Sequence, residues 1–207
     1  MTTYSKDIQL FKAGIPQLPK FWDGKTCVLE LKEADYNWRQ MEWWAFYFEY
    51  KFRTLFAEKF MFPGDKFDSV TFDLKGKINW DLKAKAIKSD DHKVILNDKS
   101  AMEQSIANKG FHGEIIALCD VEYNDVDWDF RKWQAEVKGE YDFDYEKSKS
   151  FSLYKYCITN VELVSLLFII IKKSDLQYLS VLKNQKTEKY VLNFEEFYLF
   201  ENILINI

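Results

Sequence analysis

Phe72-Asp73-Leu74-Lys75-Gly76-Lys77-Ile78-Asn79-Trp80-Asp81-Leu82-Lys83-Ala84-Lys85 is the stretch around which the rest of the chain is read. Val70 to Leu74 and Ile78 to Ile87 are rich in β-branched and aromatic residues, and the polar link Lys75-Gly76-Lys77 joins them, so a β-hairpin is expected. Side chains two apart on a strand share a face. Asp81, Lys83 and Lys85 therefore point one way, and Trp80, Leu82, Ala84 and Ala86 point the other way into a core. An acid and a lysine on one strand, with Asp73 on its neighbour, is a pattern suited to metal-dependent hydrolysis. Two carboxylates hold a hard cation, the cation acidifies a bound water, and an ammonium stabilises charge in the transition state.

Asp73 followed by Asp81-Leu82-Lys83 resembles the signature of the PD-(D/E)XK nuclease superfamily, which includes most type II restriction endonucleases. No Pro precedes Asp73, and the second acid is Asp rather than Glu. Asn37-Trp38-Arg39-Gln40-Met41-Glu42-Trp43 with Phe46-Tyr47-Phe48-Glu49 is similar to a block found in some of those endonucleases. The resemblance covers roughly residues 35–120. It implies an α/β (mixed α+β) fold with a restriction-endonuclease-like αβββαβ core, a mixed sheet flanked by helices. It implies Mg²⁺ held by Asp73 and Asp81, with Lys83 stabilising the transition state or orienting the water. Glu42 or Glu49 would complete the site from a helix ahead of the hairpin. The implied activity is site-specific cleavage of double-stranded DNA by a homodimer. A nuclease of the same superfamily acting in repair or on RNA is one alternative, and a non-catalytic interaction protein with a structural Asp81–Lys83 pair is the other.

The helix itself is read from Tyr36 to about Lys59, capped by Asn37. Trp38, Met41, Ala45, Phe48, Phe52 and Leu55 recur at three- and four-residue steps. Glu42 and Glu49 are seven apart and so share one face of this apolar helix, where a carboxylate without a partner is costly. Arg39 offers Glu42 a partner. Asp68 competes with Asp73 as the first acid, but residues 68 and 73 face opposite ways on a regular strand, and Asp68 follows the break at Pro63-Gly64.

Composition sets the frame. The chain has 207 residues, 47% hydrophobic and 18% aromatic, which suits one domain with a sizeable core. A net charge of −4 argues against a protein that coats nucleic acid by bulk charge, though not against a local basic groove. Cys27, Cys119 and Cys157 have no metal-ligand spacing and read as reduced thiols in a cytoplasmic protein. The N-terminus has no apolar run of the kind a signal peptide carries, and Val161 to Ile171 is too short to span a bilayer, so no membrane association is expected.

Elsewhere, Cys27 to Leu31 reads as a short strand and His92 to Leu96 as an extension of the sheet. Lys99 to Lys109 reads as a helix begun by Asn97 or Asp98 and ended by Gly110, followed by a buried strand from Gly113 to Cys119. The acids of Asp120 to Asp129 read as a solvated loop and helix start, with a helix from Trp128 to Val137. His92 and His112, the only histidines, read as loop residues that make no zinc site. Glu114 is held in reserve as an alternative acid, together with Asp68. Residues 121–207 carry no assigned role. Within them Phe151 to Ile158 looks strand-like, Val161 to Ile171 fits helix or strand, and Leu182 to Tyr190 looks like a basic loop. Val191 to Ile207 is apolar enough to pack down or to meet a second subunit.

Overall fold

The computed structural model describes residues 2–64, 71–89, 91–123, 129–140, 157–183 and 187–207. Asp68 and Val70, Asp125 and Asp127, and most of the expected strand from Phe151 to Ile158 fall outside the described residues.

The fold is mixed α+β, as expected. Three helices precede the hairpin: α1 (Ser5–Gly14), α2 (Gly24–Glu33) and α3 (Trp43–Phe56). The strands are β1 (Phe21–Asp23), β2 (Leu74–Lys75), β3 (Asn79–Ala86), β4 (Lys93–Asp98), β5 (His112–Glu122), β6 (Asn160–Ile171), β7 (Ser180–Lys183), β8 (Glu188–Asn193) and β9 (Glu201–Asn206). Helices α4 (Lys99–Lys109) and α5 (Asp129–Lys138) complete the order. From α3 to β5 the succession is helix, three strands, helix, strand.

The main sheet runs β1-β6-β5-β3-β2, with β9 also pairing β6. Strands β3 and β5 are parallel, and the other pairings are antiparallel. The parallel pair needs a crossover, which β4 and α4 provide. Strand β4 does not join this sheet as the third strand of the expected core. It pairs with β8, which pairs with β7, in a separate three-stranded sheet. Its alternating Lys93, Val94, Ile95, Leu96 has one buried face only, which suits a small sheet better than a central position.

Alternation along β5 divides the interior in two. Ile115, Ala117 and Cys119 face a core built with α1, α2 and α3, while Ile116 and Leu118 face a second core with α4 and the small sheet. The first core is densely aromatic. Phe11 meets Phe52, Phe56, Phe60, Trp80 and Phe168 at ring-centroid distances of 4.5–5.6 Å. Trp80 lies flat across its β5 partner Gly113, where an added Cβ would stand 2.1 Å from the indole, so the parallel pairing at this point requires glycine.

Several local expectations change. Cys27 to Leu31 belongs to α2. Asp23 caps that helix by accepting from the Thr26 amide and hydroxyl, and Cys27, Val28 and Leu31 are buried at helical spacing. The long helix from Tyr36 contracts to α3, and Tyr36 to Met41 are turns and bends. Trp38 and Met41 still pack on the core, so their apolar spacing is real but reports contact and not helix. The hairpin forms, but β2 has only two residues. Val161 to Ile171 lies within β6, at the centre of the sheet, and part of the expected basic loop forms the edges of the β7–β8 pair. The tail packs down as β9 on β6. Helix α4 has the predicted limits, and α5 covers the expected helix from Asp129 onward, Trp128 lying outside the described residues. The three cysteines are buried. Among the described residues no helix is long and apolar enough to cross a membrane.

Candidate metal-dependent active site

The site begins where β2 stops. Strand β2 pairs with β3 only at Leu74↔Trp80 and Lys75↔Asn79, and among the described residues no strand lies on that side of β3 beyond Trp80. The Asp73 amide donates to Trp80 O, and the Asp73 carboxylate then accepts from the Leu82 amide at 2.6 Å. A side chain thus continues the ladder for one step, which fixes Asp73 beside Asp81. The loop before it is anchored from below by Asp7, whose Oδ2 accepts from the Lys77 amide, the Ile78 amide and Trp80 Nε1. Gly76 lies so close to that carboxylate that a Cβ would stand 2.5 Å from it.

Parallel register brings β5 in from the other side. Asp81 is the partner of Glu114, and Asn79 of His112. The Asp81 Oδ2 accepts from Asn97 Nδ2 at 2.7 Å and lies 2.9 Å from His112 Nε2, while Lys83 Nζ lies 3.9 Å from Oδ1. His112 Nε2 is 3.5 Å from Glu114 Oε1, and its Nδ1 is 3.1 Å from Ser105 Oγ on α4. Asn79 Nδ2 donates to the same hydroxyl oxygen. From the other face of the sheet edge α3 contributes Glu49, whose carboxylate accepts from the Tyr36 hydroxyl.

Asp81, His112 and Glu114 are buried, Glu49, Asp73 and Lys83 are half-buried, and their charges adjust to one another. Burial pushes the Asp73 carboxyl up to about 8, and the negative Asp81 adds to the effect. Burial likewise raises Glu49, against the opposing Tyr36 hydrogen bond and the Lys83 ammonium. For Asp81 burial acts the same way, but Lys83, then His112 and Asn97, outweigh it and hold the group below the ordinary carboxylate range. Burial works against the Lys83 ammonium, yet Asp81 and Asp73 outweigh it and raise its pKa. Burial also opposes the charged form of His112, but the carboxylates beside it raise it to about 9. Glu114 is raised by burial, partly offset by His112. At neutral pH the site therefore holds Lys83 and His112 charged, Asp81 ionised and Asp73 mostly protonated, with Glu49 and Glu114 shifted toward their neutral forms.

Of the residues anticipated from sequence, Asp73, Asp81, Lys83 and Glu49 are brought together. Glu42 is exposed at the N-cap of α3, on the rim of the cleft that Glu49 and Lys83 line. It does not share a helical face with Glu49, because it precedes the helix. Lys85 is tethered, donating to the carbonyls of Asp91 and Lys93. His112 is no loop residue: it is fully buried at the start of β5. The sequence did carry a signal for it. His112-x-Glu114 are two apart at the mouth of an apolar strand, so they share a face, and only the parallel register shows that this face is Asp81's. The cleft has a volume of about 610 Å³, with Trp44, Phe46 and Tyr123 among its walls and exposed Lys93 on its lip. No protein-family model, curated protein or solved structure matches the chain.

Proposed function

We propose that the protein is a divalent-cation-dependent nuclease that hydrolyses phosphodiester bonds in DNA. The observation that carries the reading is the convergence of Glu49, Asp73 and Asp81, from three separate elements, around the single ammonium of Lys83 at the open edge of β3. The donor set suits a hard cation: it is rich in carboxylates, and two of them, Asp73 and Glu49, are held with raised pKa that a cation would offset. Asp73 and Asp81 would hold Mg²⁺, with Glu49 closing the site from α3. The bound ion would polarise a phosphoryl oxygen and acidify a water. Lys83, kept protonated by Asp81 and Asp73, stabilises negative charge as it develops on the phosphorus-bound oxygens. Asn97 and the Leu82 amide fix the two carboxylates and so limit their reorganisation. Site-specific cleavage of a duplex by a homodimer belongs to the same proposal and rests on the resemblance of Asp73 and Asp81-Leu82-Lys83 to the PD-(D/E)XK signature.

Incubation with plasmid DNA and Mg²⁺, with EDTA as control, tests this directly. Cleavage that EDTA stops and that Asp81→Asn abolishes is the expected result. Folded wild-type protein that leaves supercoiled, linear and single-stranded DNA intact with Mg²⁺ or Mn²⁺ would remove the reading in favour of a non-catalytic interaction protein.

A further inference from the structure

Asp81, His112 and Glu114 form a cluster that the nuclease reading does not require. Their ligand atoms all lie within 4.8 Å of one another, and all three residues are buried. His112 Nε2 stands 2.9 Å from Asp81 Oδ2 and 3.5 Å from Glu114 Oε1. Two ligands on one ion with bonds of about 2.1 Å stand about 3.0 Å apart at a right angle and about 3.4 Å apart in a tetrahedron. The observed spacings match shared coordination. His112 Nε2 also stands at ion-pair distance from both acids, but neither it nor either Glu114 oxygen has a well-aligned hydrogen bond. Buried polar atoms left in this condition are rare and need a partner.

The surroundings prepare the imidazole as a ligand. Ser105 Oγ faces Nδ1 and is placed to accept its proton, so Nε2, whose own proton a metal would displace, is the nitrogen turned toward the carboxylates. Asn97 donates to the same Asp81 Oδ2 that His112 approaches and so fixes that carboxylate. An imidazole nitrogen beside two carboxylates favours borderline first-row transition metals over Mg²⁺, which prefers oxygen ligands and retained waters. We infer that Asp81, His112 and Glu114 bind one divalent transition-metal ion of the Zn²⁺ or Mn²⁺ class. Asp81 is shared with the proposed nuclease centre, but the site exists whether or not the protein cleaves DNA.

Metal binding is therefore read without reference to cleavage. Full-length protein is stripped with EDTA, dialysed, and titrated calorimetrically with Zn²⁺ and with Mg²⁺. One Zn²⁺ per chain, bound at least about tenfold tighter than Mg²⁺, is expected. Pulsed EPR of the Mn²⁺-loaded wild type is expected to show a directly bound imidazole nitrogen. With His92 the only other histidine, exposed and paired with Glu195, the signal is assigned by its loss in His112→Gln and its persistence in His92→Gln. Glu114→Gln, which keeps the shape of the side chain, should weaken Zn²⁺ by about tenfold or more. A wild-type Mn²⁺ spectrum with no imidazole nitrogen would overturn the site and make the cluster an imidazolium between two carboxylates. That result would leave a Mg²⁺ nuclease at Asp73 and Asp81 untouched. Zn²⁺ binding with no cleavage of any DNA would uphold the site and remove the nuclease.

Discussion

Asp7 on α1 and Glu114 on β5 are both buried carboxylates set against the same sheet, and they are treated in opposite ways. Asp7 accepts from the Lys77 amide, the Ile78 amide and Trp80 Nε1, and it holds a hairpin link whose glycine leaves room for nothing else. Glu114 accepts no hydrogen bond at either oxygen. A buried charge that the backbone satisfies is a structural rivet. One left open, beside an imidazole and another acid, stores instability in the metal-free protein that a cation would relieve. The difference separates the side of the sheet that is satisfied by backbone donors from the side that carries the candidate site.

The largest effect expected is at Asp7. Asp7→Ala strands three donors beneath the hairpin and should destabilise the fold by roughly 3–5 kcal/mol in urea unfolding. A loss below about 1 kcal/mol would break the comparison at its structural end. Next is Lys83→Ala. It should lower the single-turnover cleavage rate by about 10²–10³-fold while DNA affinity changes little, since Lys83 faces the acids and not a recognition surface. Weakened binding with unchanged rate would move Lys83 from the chemistry to the substrate grip.

Glu114→Gln should do the reverse of Asp7→Ala. Without metal it replaces a buried carboxyl whose charged form burial disfavours, so unfolding should show no loss, or a gain of about 1–3 kcal/mol. A clear destabilisation would mean that the carboxylate already has its partner in His112.

The pH dependence sharpens the same contrast. The folded protein keeps the Asp73 proton up to about pH 8, whereas the unfolded chain loses it near the ordinary value of 3.8. Over that window the folded state binds more protons, so stability falls as pH rises. His112 acts in the same direction between its ordinary 6.5 and about 9. Melting temperature of the EDTA-treated protein should therefore fall from pH 5 to pH 8, and Asp73→Asn should flatten the slope. The smallest effects are on α3. Glu42→Gln, at an exposed cap, should change stability by less than about 0.5 kcal/mol and leave cleavage alone, whereas Glu49→Gln should slow cleavage with the fold intact. Two equally active variants would take α3 out of the site.

Much of the centre was legible along the chain because it is local. Asp81 and Lys83 share a face by the two-residue period of a strand, and Asp73 lies across a hairpin whose link is readable as Lys75-Gly76-Lys77. Helix α4 was equally clear, bounded by Asp98 and Gly110. Errors came where apolar spacing had two readings. Trp38 and Met41 contact the core from a turn, not a helix, and Cys27, Val28 and Leu31 follow a cap by Asp23 that a strand reading overlooks. Sequence alone therefore determined the acid–lysine strand, its hairpin and the mixed class of the fold, since these depend on periodicities of a few residues. Only the tertiary structure decided that β4 leaves the main sheet, that Glu49 and not Glu42 turns inward, and that His112 and Glu114 stand against Asp81. The physical reason is register: pairing β3 with β5 in parallel, across the crossover that β4 and α4 make, sets residues more than thirty apart side by side, and no local pattern encodes which residue meets which.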